Sequence, residues 1–157
     1  MDRRLVRPKR IWVDADALPS EARRLLFKAA ERVQVPVCLV ANKPLRVPDL
    51  ALFSSIVVGA GSDVADNWIV EAMEAGDLVI TADIPLASRV VDRGGCGLDP
   101  RGALFTDDNV KERLALRNLL DHLRGADTMV GGGPPAYGKK DAQKFADALN
   151  RILSRPA

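Results

Sequence analysis

The sequence predicts an α/β protein in which a mainly parallel central sheet is flanked by helices in three layers. Short apolar runs rich in β-branched residues alternate with longer segments whose apolar residues recur at helical spacing. Several apolar runs also end in an aspartate, as when a buried strand delivers a carboxylate to the edge of a sheet. Because alternating strands and helices form parallel sheets, the carboxyl ends of the strands should share one edge.

The predicted elements follow one another with clear boundary signals. Pro19 suits the first turn of a helix, and Gly76 is a natural helix stop. Strands are predicted at 10–14, 35–41, 53–58 and 78–82, with a shorter one within 94–98; helices are predicted at 19–33, 63–75, 84–93, 107–124 and 139–153. Since the Gly/Pro stretch at 131–135 is the one linker-like segment, residues 11–154 are expected to form a single domain after a basic arm at 1–10.

Composition narrows the class of protein without naming a function. The 157 residues carry a net charge of +2 and 4% aromatics, which is too mild a pattern to indicate nucleic-acid binding by itself. No apolar stretch approaches the ~20 residues that span a bilayer, and no signal-like apolar region follows the basic N-terminus. A cytoplasmic location is therefore expected. The two cysteines, Cys38 and Cys96, lack metal or disulfide spacing and are expected to be structural.

Five aspartates form a candidate site at the predicted strand ends. Asp14 and Asp16 follow the first strand, Asp83 follows the fourth, and Asp63 and Asp66 share a face in the first turn of a helix. Four of them have a simpler interpretation: Asp16 and Asp83 could cap helices, and Asp63 and Asp66 could complement a helix dipole, whereas Asp14 precedes any plausible cap position. Carboxylates gathered at one edge repel each other unless a cation lies between them, and oxygen ligands favour Mg²⁺ or Mn²⁺. Such a site suits hydrolysis of phosphodiesters.

Several segments resemble the YaiI/YqxD family of uncharacterised bacterial proteins over about residues 11–153. The segments that carry this resemblance are Val13-Asp14-Ala15-Asp16-Ala17, Ala41-Asn42, Gly61-Ser62-Asp63-Val64-Ala65-Asp66-Asn67, Thr81-Ala82-Asp83-Ile84-Pro85-Leu86 and Pro100-Arg101-Gly102. That family looks like a branch of the PIN-like, Rossmann-related fold, whose active members are metal-dependent ribonucleases. The resemblance implies catalytic roles for Asp14, Asp66 and Asp83, metal ligation by these with Asp16 and Asp63, and RNA as the substrate.

Four further residues are expected to contact the substrate. Thr81 begins the segment Thr81-Ala82-Asp83, which resembles a Thr-x-Asp element of the PIN-like nucleases. Lys140 follows the glycine-rich stretch at 131–135 and could close over a substrate. Arg101 could clamp a phosphate bidentately, or it could pair with a carboxylate such as Asp99. Asn109 looks first like part of a helix cap and second like a metal or water ligand.

Two other functions stay open at this point. Asp14-Ala15-Asp16 after a strand also resembles the nucleophile motif of haloacid-dehalogenase-like phosphatases, although Ala17 stands where that motif has glycine. Scarce aromatics and mild charge fit a non-catalytic nucleic-acid- or protein-binding module on the same fold. The single histidine, His122, is expected at the surface of a helix and not in a nucleophile system.

Overall fold

The computed structural model describes residues 6–16, 18–61, 63–126 and 136–157. Within them six strands and five helices form one sheet with helices on both of its faces, which confirms the predicted α/β class. The elements are β1 (Ile11–Asp14), α1 (Ser20–Val33), β2 (Val37–Ala41), β3 (Phe53–Val57), α2 (Val64–Ala72), β4 (Leu78–Ile80), α3 (Ile84–Asp92), β5 (Cys96–Leu98), β6 (Leu104–Phe105), α4 (Asp107–Ala126) and α5 (Lys139–Leu153).

The strand order places β1 in the middle of the sheet, next to β4. The order is β3-β2-β1-β4-β5-β6, and all neighbours are parallel except β5 and β6. The chain runs from β1 outward to β3 and then crosses to β4 on the other side of β1, with Val13 in register with both Leu39 and Ile80. The gap between the ends of β1 and β4 is therefore the point where the winding direction switches, which is where open α/β sheets bind ligands.

Successive residues of β1 separate the two helical layers. Ile11 and Val13 face a core shared with α1 and α5, while Trp12 faces a second core shared with α2 and α3. This alternation follows from the two-residue period of a strand. A smaller cluster that includes Phe105 and Val110 packs α4 against α3. The sheet is thus buried on both sides, which explains why its central strands are continuously apolar in sequence.

The two largest departures from the sequence prediction are an added strand and a shortened helix, whereas the ends of the other elements differ by at most two residues. The two-residue strand β6 was not predicted, because a segment so short has no periodicity; pairing with β5 creates it. Helix α2 ends at Ala72, three residues before the predicted end, because Met73 adopts an extended backbone and buries its side chain. The buried carboxylate of Asp77 holds this turn by accepting hydrogen bonds from the backbone N–H of Glu74 and the indole N–H of Trp12.

The described part of the basic arm lies against the C-terminal end of the chain. The backbone N–H of Arg7 donates to the Pro156 carbonyl at 2.7 Å, and its Nε donates to the Leu153 carbonyl at 2.9 Å. The first five residues and the Gly/Pro stretch at 131–135 lie outside the described residues. Among the helices that the structure describes, none combines the length and apolarity needed to cross a bilayer.

A candidate carboxylate site at the strand switch point

The candidate site lies where β1 and β4 end side by side. Asp14 is the last residue of β1, and Asp83 is the cap residue that starts α3 just after β4. Both line a small cleft of about 160 Å³ together with Leu18, Ala82 and Pro100. Two carboxylates from different strands thus share one cleft at the switch point of the sheet.

The hydroxyl of Thr81 forms hydrogen bonds with both of these aspartates. Its hydroxyl donates to the Asp14 carboxylate at 2.9 Å and accepts from the backbone N–H of Asp83, also at 2.9 Å. The side chain was expected to contact substrate, but the residue is only 1% exposed and its hydroxyl is engaged on both sides. Asp83 in turn accepts from the backbone N–H of Leu86 at 2.9 Å, which confirms the simpler interpretation of Asp83 as a helix cap; its roles in catalysis and metal binding stay predictions. Thr81 and the cap together fix the orientation of both carboxylates.

Burial and mutual repulsion hold the pKa of Asp14 above its ordinary value. Burial is the main cause, because it disfavours the charged form, and the hydrogen bond from Thr81 offsets part of the rise. The negative charges of Asp83 and Asp16 raise the pKa further. Asp14 is therefore a carboxylate whose ionised form is disfavoured unless a cation is nearby.

Asp66 reaches the same cluster from the first turn of α2. Its pKa is raised to about 6, first by burial and then by the charges of Asp83, Asp14 and Asp63. Asp66 therefore lies within electrostatic range of Asp14, Asp63 and Asp83. The structure brings them together; what they bind stays a prediction.

Asp16 and Asp63 occupy the exposed margin of the cluster. Both carboxylate oxygens of Asp16 accept from the backbone N–H of Asn42, at 3.2 Å and 3.0 Å. Asp16 does not cap α1, whose cap residue is Pro19, so that simpler interpretation of Asp16 was wrong; it ties the β1–α1 loop to the end of β2. Asp63 stands at the cap position of α2 but makes no side-chain cap hydrogen bond.

The cluster does not form a ready-made metal cage. Across 6–16, 18–61, 63–126 and 136–157, no three aspartate, glutamate, histidine or cysteine side chains converge in a geometry that could hold an ion. Within the residues that the structure describes, the expected set of five ligands is therefore not assembled as one shell. Two cleft carboxylates nevertheless fit Mg²⁺, which keeps several waters and is bound through one or two carboxylates plus substrate phosphates.

Arg101 is held beside the cleft by α5. Its guanidinium donates to the Asp141 carboxylate at 2.9 Å and lies over the Tyr137 ring at 5.7 Å, and the Tyr137 hydroxyl donates to the carbonyl of Pro100 at 2.8 Å. The interpretation of Arg101 as the partner of a carboxylate is confirmed, although its guanidinium forms the ion pair with Asp141, and Asp99 accepts from its backbone N–H. These contacts hold the cleft residue Pro100 in place through Tyr137 and through its neighbour Arg101.

Gly102 lets the Arg101 loop approach α5 closely. It adopts a φ of 95°, a left-handed conformation that favours glycine. A Cβ at this position would lie 2.7 Å from the backbone of Lys144, so the loop and helix meet without room for a side chain. The close approach explains how a loop after β5 is tied to the last helix of the chain.

The two remaining predicted contact residues have different surroundings. Asn109 accepts from the backbone N–H of Thr106 at 2.9 Å and donates to the Leu104 carbonyl at 2.7 Å, which confirms its interpretation as part of the α4 cap. Lys140 is exposed in the first turn of α5, directly before Asp141. Asn109 is thus occupied within the fold, whereas Lys140 is accessible.

Sequence reasoning missed one basic residue next to the acids. Arg89 in the last turn of α3 donates from Nη1 to the Asn67 side-chain carbonyl on α2 at 2.8 Å, beside Asp66. Its positive charge lowers the pKa of Asp66, against the effect of the neighbouring carboxylates. In sequence Arg89 reads as an ordinary complement to the helix C-terminus, so nothing short of the α2–α3 contact could have indicated its position.

Comparison with known proteins gives a family without an assigned activity. The model of the family described as "Uncharacterized BCR, YaiI/YqxD family" matches residues 12–155. The chain is 52% identical over 145 residues to a UPF0178 protein of Trichlorobacter lovleyi, covering 92% of this chain and 94% of the relative. It is 53% identical over 146 residues to a UPF0178 protein of Citrifermentans bemidjiense, covering 93% and 94%. No solved structure matches.

Proposed function

Because the chain belongs to the YaiI/YqxD family of uncharacterised proteins, whose name assigns no activity, we propose from the geometry of its site that it is a metal-dependent phosphodiesterase acting on RNA. The observation that carries this proposal is the pair of cleft carboxylates, Asp14 and Asp83, which Thr81 links at the switch point of the sheet. RNA as the substrate rests on the resemblance to the PIN-like fold.

The electrostatics of the site support a cation there. The charges of neighbouring carboxylates raise the pKa of Asp14 and that of Asp66, so an unneutralised cluster costs stability at neutral pH. Asp14 and Asp83 would hold Mg²⁺ or Mn²⁺, with Asp66, Asp16 and Asp63 supplying negative charge around it. The bound ion would lower the pKa of a water and shield the charge on a phosphate.

The chain's own residues would orient the reacting groups. The hydroxyl of Thr81 donates to one oxygen of Asp14, and the backbone N–H of Leu86 donates to one oxygen of Asp83. These hydrogen bonds would fix each side chain, so that its second oxygen could bind the ion without a change in rotamer. Leu18 and Pro100 are buried apolar neighbours that limit the water around the cleft. A site held in this way is preorganised, so little reorganisation is needed when a phosphodiester enters.

One observation favours a second candidate function, a non-catalytic module that binds nucleic acid or protein. No three metal-ligating side chains converge in the described part of the chain, so the acids as placed are not a complete ligand shell. In this case the aspartates would act only through charge. The two candidates differ in whether divalent ions bind at Asp14 and Asp83.

The test is cleavage of single- and double-stranded RNA and DNA by the protein with Mn²⁺, compared with Asp14→Asn and Asp83→Asn. Asparagine keeps the size of each side chain and can still cap α3 at position 83, so both variants should fold. Asp92→Asn, which changes an exposed aspartate at the far end of α3, is the matched control. We expect cleavage by the wild type and the control but not by the two site variants. Equal cleavage by all four proteins would sink the proposal, and release of phosphate from small monoesters alone would favour a phosphatase.

A further inference from the structure

Arg89 is a cation held at the margin of an anionic cleft. It is exposed at the end of α3, and its guanidinium reaches across to α2, where Nη1 donates to Asn67 Oδ1 at 2.8 Å. Asn67 directly follows Asp66, so the hydrogen bond places the guanidinium next to the carboxylate cluster. Within the residues that the structure describes, Asn67 accepts the one hydrogen bond that this guanidinium donates.

The pairing with a neutral amide leaves the guanidinium well suited to bind an anion. An arginine presents five N–H donors in a planar fork, and one hydrogen bond to a neutral amide uses few of them and leaves the charge unneutralised. The hydrogen bond holds the guanidinium against α2, whose first turn carries Asp66 of the cluster. A polyanion that approaches this cluster of carboxylates is repelled unless cations border it, and Arg89 borders it on the α2–α3 side.

We propose that Arg89, oriented by Asn67, forms a phosphate-binding subsite that holds the backbone of a single-stranded nucleic acid on the α2–α3 side of the cleft. The inference rests on the proposed function, because it supposes a phosphodiester chain in the cleft. It adds a contact that positions the chain through phosphate, where a fixed guanidinium can form two parallel hydrogen bonds. Such contacts position a nucleic acid without reading its sequence.

The chain offers a closely matched control. Arg32 in the last turn of α1 donates to the Asn150 side-chain carbonyl of α5 at 2.8 Å, also between two helices and also at the surface. Helices α1 and α5 pack on the face of the sheet opposite to α2 and α3, so Arg32 lies away from Asp66. Arg32→Ala and Arg89→Ala therefore remove the same charge and the same kind of hydrogen bond, and they should cost similar stability in urea unfolding.

The experiment measures binding of a short fluorescent single-stranded RNA by anisotropy, in Mg²⁺ and over a series of salt concentrations. All proteins carry Asp83→Asn, so that cleavage does not intervene. We expect Arg89→Ala to weaken binding about tenfold, as for loss of a hydrogen bond to a charged group. Its slope of log affinity against log salt should fall by about 0.7, the value for one phosphate contact on a single strand. Arg32→Ala should change neither quantity, and Asn67→Ala should produce a smaller loss than Arg89→Ala.

The outcomes separate the subsite from the phosphodiesterase. Equal effects of Arg89→Ala and Arg32→Ala, or no RNA binding by the parent protein, overturn the subsite. Arg89-dependent binding without Mn²⁺-dependent cleavage by the wild type keeps the subsite and sinks the enzyme. Cleavage with Arg89-independent binding does the reverse. Single-stranded DNA of the same sequence should lose the same factor; a loss confined to RNA would point to the ribose hydroxyl and overturn the phosphate assignment.

Discussion

The hydroxyl of Thr81 donates a 2.9 Å hydrogen bond to the carboxylate of Asp14, joining residues 67 positions apart across the neighbouring strands β1 and β4. The same hydroxyl accepts from the backbone N–H of Asp83. One buried side chain therefore sets the relative position of the two carboxylates that line the cleft. Its hydrogen bond also stabilises the ionised form of Asp14 against the effect of burial.

Thr81→Val should disturb the site more than the fold around it. Valine keeps the shape of threonine but leaves the Asp14 carboxylate and the Asp83 N–H without their partner, so we expect a loss of about 1–3 kcal/mol in the free energy of unfolding. The pKa of Asp14 should rise further, because the hydrogen bond that lowers it is gone. Urea unfolding and NMR titration of Asp14 measure the two effects. Thr81→Ser, which keeps the hydroxyl, is the control; a valine variant as stable as the serine variant would contradict the prediction.

Stability should depend on pH through Asp66. Its pKa is about 6 in the folded protein and 3.8 in the reference state, so the folded state binds the proton more tightly. Its contribution to stability is present below about pH 4 and is lost as the pH rises through about 6, the folded pKa. Asp66→Asn removes the charge, and because the carboxyl is partly solvated we expect a gain of only about 1 kcal/mol at pH 8, vanishing near pH 4.

The measurement for Asp66 is urea unfolding of the wild type and Asp66→Asn from pH 4 to pH 8, without divalent ions. Asp147→Asn, which changes an exposed aspartate on α5, is the control for the substitution itself. An Asp66→Asn variant less stable than the wild type at pH 8 would show that the carboxylate is not under repulsion there.

Divalent ions should stabilise the protein through Asp14 and Asp83. Binding to the folded state alone raises stability by about 2.7 kcal/mol at a hundredfold excess of ion over the Kd. We expect Mn²⁺ to raise the Tm of the wild type, and to raise it much less in Asp14→Asn or Asp83→Asn. Calorimetry at fixed ionic strength makes the measurement, with Ca²⁺ compared at the same concentration. The same gain in all three proteins would place the ion elsewhere.

The ion pair between Arg101 and Asp141 should contribute more to the free energy of unfolding than an exposed ion pair does. Its side chains are 34% and 25% exposed, whereas those of Arg24 and Glu21 are 51% and 47% exposed. Double-mutant cycles with alanine should give about 1 kcal/mol for the first pair and a few tenths for the second, because solvent screens exposed charges. Loss of the Asp141 contact should also loosen the Pro100 loop and weaken Mn²⁺ binding. Equal coupling energies for the two pairs would contradict this account.

Some features were predictable because they follow from local chemistry. The helix caps at Asp83 and Thr106 are visible in sequence, since a cap needs only a side chain and the backbone N–H groups within the next turn. The early end of α2 was not predictable, because Asp77 closes that turn through Trp12, which lies 65 residues away in sequence. Likewise Asp16 accepts from the backbone N–H of Asn42, just after the neighbouring strand β2, and does not cap the helix that follows it.

The sequence by itself determined the α/β class, nearly all of the elements and the aspartates at the strand ends, because hydrophobic period and turn residues act over a few positions. The tertiary structure alone decided the strand order, and with it that β1 and β4 are neighbours. That adjacency lets Thr81 hold Asp14 and Asp83 together, and the packing of α3 on α2 brings Arg89 to Asp66. Contacts between distant segments are set by how sheet and helices bury their faces, which no local pattern in the chain encodes.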